Sequence, residues 1–223
     1  MSPEKSGQVC VILWFHFLIM LRASFFARAP QICARELVGA ELRWDACRGR
    51  IVETEAYAAV GDEACHTFQR KGARTFVEHH PPGTAYVYLN YGVHWLLNVL
   101  VKGGGGVNDG FVLIRAVRPT HGLAPMRSRR ALKRELSLCS GPGKLTEAFG
   151  IDGSAHGIDL CADATRGFAA SVESGPEVIA DRRVGISRAA DFPWRFLFHA
   201  SPYVSVRPSA FARTSVARGT AEA

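Results

Sequence analysis

Read along the chain, apolar and polar positions alternate mostly at strand spacing, with a few helical stretches between. The first helical stretch is Gln31–Leu37, with Pro30 in its first turn and Gly39 ending it. From Glu41 the chain turns β-like, through Glu41–Trp44 and then Arg50–Tyr57. Two further strands, Thr84–Leu89 and Val93–Lys102, flank Asn90-Tyr91-Gly92, a hairpin signal, and another, Phe111–Val117, follows the loop Gly103–Gly110. Arg127–Leu138 and Lys144–Phe149 predict helices. Strands return around Ala169–Glu173, Arg183–Ile186 and Arg195–Ala200. Residues 61–82 mix Gly, Pro, charge and three histidines, and predict a long irregular excursion of the kind that often carries function. Beyond Pro208 the chain is Ala, Ser, Thr and Arg, which predicts a frayed tail over 208–223. Hairpins, a helical patch and more strands describe an α+β fold, and no composition break marks a second domain.

Composition narrows the partners. With 48% hydrophobic residues the chain has enough apolar content to fold, and 27 Lys and Arg against 20 acids give a net charge of +7. That excess suits a polyanion, either nucleic acid or an anionic membrane face. The six cysteines stand at no C-x-x-C spacing and His79-His80 are too adjacent to chelate alone, so neither a zinc site nor a disulfide scaffold has support. Val9–Leu21 is an apolar run of 13 residues broken by His16. It is too short to span a membrane but long enough for a signal segment, with Ala27-Arg28-Ala29 imitating a cleavage site. The weakly charged start argues instead for an apolar extension over 1–21 or a misassigned start.

The sharpest chemistry lies in Glu53-Thr54-Glu55-Ala56-Tyr57, where a period of two puts Glu53, Glu55 and Tyr57 on one strand face. Paired carboxylates are more often a solvated sheet face than a catalytic pair, and spacing does not say which glutamate would act. Tyr86 and Tyr88 share a face and are explained by packing alone. Tyr91, at a turn beside Gly92, has little core to enter and resembles a wedge for a base stack. Asn98, polar within an apolar strand, reads as a hydrogen-bonded strut. Arg127, Arg129, Arg130, Lys133 and Arg134 form a basic stretch. Lys144 opens a helix after Ser140-Gly141-Pro142-Gly143, a place suited to phosphate oxygens. No nucleotide-binding loop or nucleophile elbow is present.

Eight ordered segments then resemble one family. IVETEAY (51–57), DEACH (62–66), PPGTAYVYLNYG (81–92), LNV (97–99), VLIRAVRP (112–119), CSGPGKL (139–145), RRVGIS (182–187) and PWRF (193–196) are similar to the alkyladenine, or 3-methyladenine, DNA glycosylases. The likeness covers about residues 22–205, so the glycosylase domain would span 22–207. It implies a curved, largely antiparallel sheet with surrounding helices and a hairpin protruding at Tyr91.

The same resemblance implies a monofunctional enzyme of base excision repair, a monomer that binds damaged double-stranded DNA. It would use no cofactor or metal and no membrane, and would work in the cytoplasm on the nucleoid, or in a nucleus. It places the general base at Glu55, with Arg115 and the backbone carbonyl of Val184 holding the attacking water. Tyr57, His66 and Tyr88 become the walls of the base pocket, Tyr91 the intercalating residue, and Asn98 a reader of the base's minor-groove edge. Arg127, Arg130 and Lys144 are candidates for the DNA backbone. Substrates would be 3-methyladenine and 7-methylguanine, with hypoxanthine a further candidate. Residues 69–80 depart from the family pattern, with Glu78 a mild repulsion near phosphates. That departure motivates the alternative of a catalytically weak nucleic-acid-binding protein on the same scaffold. A membrane-surface protein is the second alternative.

Overall fold

Every other element is arranged around one long central strand. The structure, a computed structural model, describes residues 19–170 and 177–212. Its strands are β1 (Glu41–Trp44), β2 (Cys47–Ala58), β3 (Ala85–Asn90), β4 (His94–Lys102), β5 (Asp109–His121), β6 (Arg166–Ala169), β7 (Val178–Asp181) and β8 (Arg195–Phe198). They pair antiparallel in the order β3-β4-β5-β2-β1-β6, and the sheet curls into a half-barrel. On the edge of β2 away from β5, Arg50 back to Cys47 pairs with β1, while Glu53–Glu55 pairs with β8. The change of partner coincides with register irregularities around Glu53. Such bulges bend a strand and re-aim its side chains.

Period two divides the sheet into two faces. Ala56, Ala85, Val87, Leu97, Val99, Val112 and Ile114 enter the main core, together with Leu37 of α2 (Pro30–Leu37) and Leu145 and Phe149 of α6 (Pro142–Phe149). The alternate residues of the same strands form the concave face. There Tyr86, Leu100 and Phe111 join Cys65, Ala73, Phe76 and Val77 in a second cluster. The α+β reading of the sequence agrees with this single layered domain.

Local expectations failed where helices are short. Residues 61–82 are no irregular excursion, for they carry α3 (His66–Gln69) and α4 (Lys71–His79). Ala73, Phe76 and Val77, spaced three and four apart, are the buried face of α4, a signal hidden by Gly72 and the surrounding charge. Arg127–Leu138 is not one helix either. The helix α5 (Leu123–Arg130) ends where Ala131 takes φ +49°, and only a single 3-10 turn, Glu135–Ser137, follows. Arg183–Ile186 is a loop beyond β7, β8 ends two residues before the predicted strand does, and β6 precedes the predicted strand, sharing only Ala169 with it. Part of the expected strand at 169–173 and most of the apolar run 9–21 lie outside the described residues. The first residues of the expected tail are held, since Ser209 donates from its N–H to Asp181 at 2.9 Å and Ala212 is buried. The remaining α1 (Ala23–Phe26) seats Phe26 in the main core.

Candidate active site

The concave faces of β3, β4, β5 and β2 enclose a cavity of about 600 Å³. Its lining includes Tyr57, Tyr86, Tyr88, Asn98, Phe111 and Arg115 from the sheet, His66 from α3, and Val184–Ile186 from the loop after β7. The size suits one small ligand, and an aromatic lining with few polar groups is the usual form of such sites.

Glu55 lies fully buried beside this cavity, beneath three residues that line it. Its Oε1 accepts the Val184 backbone N–H at 2.7 Å; its Oε2 accepts the Tyr57 hydroxyl at 2.7 Å and Arg115 Nη1 at 3.1 Å. Val184 thus meets Glu55 through its amide N–H. Burial raises the Glu55 pKa above its ordinary value, and Arg115, the Val184 amide and the Tyr57 hydroxyl oppose that rise. Burial likewise pushes the Tyr57 phenol well above its ordinary range, reinforced by the Glu55 charge. The hydroxyl therefore stays a donor. Burial alone would lower the Arg115 pKa, but Glu55 and Glu53 outweigh it and hold the guanidinium charged.

Glu53 is equally buried, which excludes the solvated sheet face for both carboxylates. It is bound to Arg115, Arg195 and Ser205, and neither glutamate is itself among the residues that line the cavity. The bulge around it separates two residues that an unbroken strand would have presented alike.

Tyr57, His66 and Tyr88, which the resemblance makes pocket walls, line the same cavity. The His66 and Tyr88 rings lie 4.2 Å apart, and His66 Nδ1 shares a 3.1 Å hydrogen bond with the Tyr86 hydroxyl. Burial, aided by Arg70, pushes the His66 pKa down to about 4, so the imidazole is neutral at pH 7. Tyr86, which packing alone seemed to explain, is part of the lining. Asn98 reaches the cavity while its Nδ2 donates to the Tyr86 carbonyl at 3.1 Å, so it is a strut whatever else it reads.

At the cavity mouth stands the β3–β4 turn. Tyr91 is 89% exposed and adopts φ +49°, with Gly92 at φ +69° and the Val93 N–H donating to the Asn90 carbonyl at 3.0 Å. Two residues of positive φ in sequence favour Asn-Gly, so a tyrosine at the first costs about 1–2 kcal/mol. Opposite it, Gly141, Pro142, Gly143 and Lys144 bring the start of α6 to the rim. Gly143 fits because a Cβ there would stand 2.8 Å from His94 Cβ. Arg130 reaches the lining and is paired with Glu147, whereas Arg127 lies outside the lining, 3.7 Å from Glu135. Arg129 turns inward to the Ala148 carbonyl at 2.8 Å, so the basic stretch is no continuous face.

Sequence reasoning missed one element. Arg183 grips Asp62 with two nitrogens, at 2.6 and 2.8 Å, and lies over the half-buried Tyr57 ring at 4.6 Å, both charged residues being buried. This pair ties the Val184 loop to the segment before α3. Both residues sit in quoted segments, DEACH and RRVGIS, but nothing in one dimension pairs them. Among the described residues no cluster of three His, Cys, Asp or Glu could hold a metal ion, and no helix is long and apolar enough to cross a membrane. The five described cysteines are unpaired.

Comparison with known proteins bears on this site directly. The sequence pattern described as methylpurine-DNA glycosylase (MPG) matches residues 24–202. A protein of Rhodopseudomonas palustris strain HaA2, provisionally named 3-methyladenine DNA glycosylase, is 46% identical over 187 residues, 83% of this chain and 90% of its own. Its counterpart in strain BisB5, under the same provisional name, is 43% identical over 204 residues, covering 92% and 93%. Another so named, from Salinibacter ruber, is 43% identical over 205 residues, covering 83% and 96%. The matched region contains β1 through β8, the aromatic cavity and both buried glutamates, and this chain belongs to the methylpurine-DNA glycosylase family, hydrolases that cleave N-glycosidic bonds in DNA.

Proposed function

We propose that this DNA glycosylase removes alkylated purines, foremost 3-methyladenine and 7-methylguanine, by turning the damaged nucleotide into the cavity and hydrolysing its bond to deoxyribose with a water activated by Glu55. The observation that carries this reading is the unequal coordination of the Glu55 carboxylate. Oε2 has two donors, Tyr57 and Arg115, while Oε1 has one, the Val184 N–H. A carboxylate oxygen accepts about two hydrogen bonds. On this reading Oε1 would accept the proton of a water entering beside Val184, which lines the cavity.

A single carboxylate suffices because the leaving group needs no acid. Glycosidases acting on sugars protonate a poor leaving group with a second carboxyl. A ring-methylated purine is already cationic and departs readily. The Tyr57 and Tyr88 rings would attract such a cation by about 0.5–2 kcal/mol, which favours the damaged base. Neutral hypoxanthine has neither advantage and would be a slower substrate. Tyr91 would fill the gap in the duplex left by the turned-out nucleotide, Asn98 would meet the minor-groove edge of the base, and Lys144 and Arg130 would meet phosphates.

The test is Glu55→Gln, which keeps shape but accepts no proton. Mass spectrometry of bases freed from alkylated duplex DNA should show release reduced about 10²–10⁴-fold, with binding to abasic DNA unchanged. Wild-type release by the variant removes the base assignment. A wild-type protein that binds abasic DNA yet frees no base is the binding protein of the alternative reading.

A further inference from the structure

The two glutamates of β2 share one guanidinium. Arg115 donates Nε to Glu53 at 3.0 Å and Nη1 to Glu55 at 3.1 Å. Glu53 also accepts Arg195 Nε at 2.8 Å, the Ser205 hydroxyl at 2.8 Å and the Ser205 backbone N–H. Oε1 takes three of these four donors, and Oε2 takes the Ser205 backbone N–H. Ser205 is tied to both members of the pair, because its hydroxyl also accepts Arg115 Nη2 at 3.3 Å. Beyond this, Arg195 Nη1 reaches Asp181 at 3.3 Å, and Asp181 accepts the Ser209 hydroxyl at 2.5 Å. Ser205 and Ser209 lie beyond residue 202, where the family match ends.

This arrangement rations the positive charge that reaches Glu55. A guanidinium that gripped Glu55 with two nitrogens would favour its ionised form strongly and make it a poor proton acceptor. With Nε on Glu53 and Nη2 on Ser205, Arg115 meets Glu55 through one nitrogen, Nη1. The other groups facing Glu55 are Tyr57 and Glu53 from its own strand, Arg195 of β8 as its register partner, and Tyr88 from β3. Arg183 lies behind Tyr57 and is neutralised by Asp62. The Arg195 charge is divided between Glu53 and Asp181, and the Glu53 charge itself favours a protonated Glu55.

We propose that Glu53 is a positioning residue for hydrolysis. Together with Ser205 it holds Arg115 by its far edge, so that Glu55 is oriented by one N–H and remains basic enough to deprotonate water. The inference rests on Glu55 being the base. Single-turnover release of 3-methyladenine across a pH series tests it. Glu53→Gln removes a charge but keeps an oxygen for Arg115. Its acid-side midpoint should move to lower pH by about one unit. Its plateau should fall about tenfold as a weaker base takes over. Ser205→Ala, which removes a hydroxyl and no charge, should lower the plateau a few-fold and leave the midpoint in place.

If Glu53 served folding alone, folded Glu53→Gln would lose thermal stability while keeping the wild-type midpoint and plateau; that result overturns the proposal. Should Glu53→Gln fail to fold, Ser205→Ala decides, and an unchanged plateau overturns the proposal equally. Glu55→Gln runs alongside. If it still releases base, the base assignment falls and takes this inference with it. If it is inactive while both other variants match wild type, the role of Glu53 alone is rejected.

Discussion

The floor of the cavity and its rim are built on opposite terms. At and beneath the floor, where Arg115 alone of them lines the cavity, Glu53, Glu55, Arg115, Arg195, Asp62 and Arg183 are buried, and each is held by partners of opposite charge. At the rim, Tyr91 is exposed and held in a strained turn, with Val93 exposed beside it. Buried charges without partners cost several kcal/mol each, so the floor must be satisfied before any substrate arrives. The rim carries an unfavourable conformation whose benefit arrives only with the duplex. Orientation is thus set during folding at the floor, and surface complementarity is completed during binding at the rim.

The comparison breaks most sharply with pH. A general base works only when deprotonated, and burial raises the Glu55 pKa above its ordinary value. Base release should therefore fall as pH drops through a midpoint above the usual carboxylate range, by about tenfold per pH unit below it. His66 gains its proton only near about 4, so a limb above that value does not belong to it. A flat single-turnover profile down to the ordinary glutamate range contradicts a tuned floor.

Next in size is Asp62→Asn, which strands the buried Arg183 charge. Urea unfolding should show a loss of about 3–5 kcal/mol. Base release should also fall at temperatures where the variant is folded, because the Val184 amide rides on the same loop as Arg183. Stability within 1 kcal/mol of wild type (roughly the worth of an exposed pair) would mean that the clamp is not the anchor described here.

Rim substitutions should act in the opposite sense on stability. Tyr91→Ala removes a stacking surface worth about 1–3 kcal/mol, so excision from duplex should slow about 5- to 150-fold. Excision from single strands should change much less. Equal losses on both substrates would remove the wedge. Tyr91→Asn relieves the positive φ and should raise stability by about 1 kcal/mol in thermal melts, while duplex excision still falls. A melting temperature below wild type would show that the turn is not strained by its tyrosine.

Much of this division was legible in one dimension. The Glu53–Tyr57 alternation, the tyrosines of β3 and the Tyr91-Gly92 turn gave their positions directly, because strand period and turn chemistry are local. The helix α4 was not legible, since its buried face is only Ala73, Phe76 and Val77 inside a charged segment. Burial against the second cluster, rather than propensity, makes it helical. The basic stretch at Arg127–Arg134 misled, because the inward turn of Arg129 and the break at Ala131 depend on packing against α6.

By itself the sequence determined the inventory: two carboxylates one turn of the pleat apart, aromatic residues on alternate positions, a strained turn, and a basic surplus. It also placed the chain near its family through ordered segments. Only the tertiary structure decided which carboxylate is bound by two arginines and a serine and which meets residues of the cavity wall. That choice depends on Arg115, Val184, Arg195 and Ser205, which lie 60 to 152 residues away along the chain. Hydrogen bonds and charge pairing act over a few ångströms of space, so residues distant in sequence set the chemistry of neighbours that sequence alone presents as equivalent.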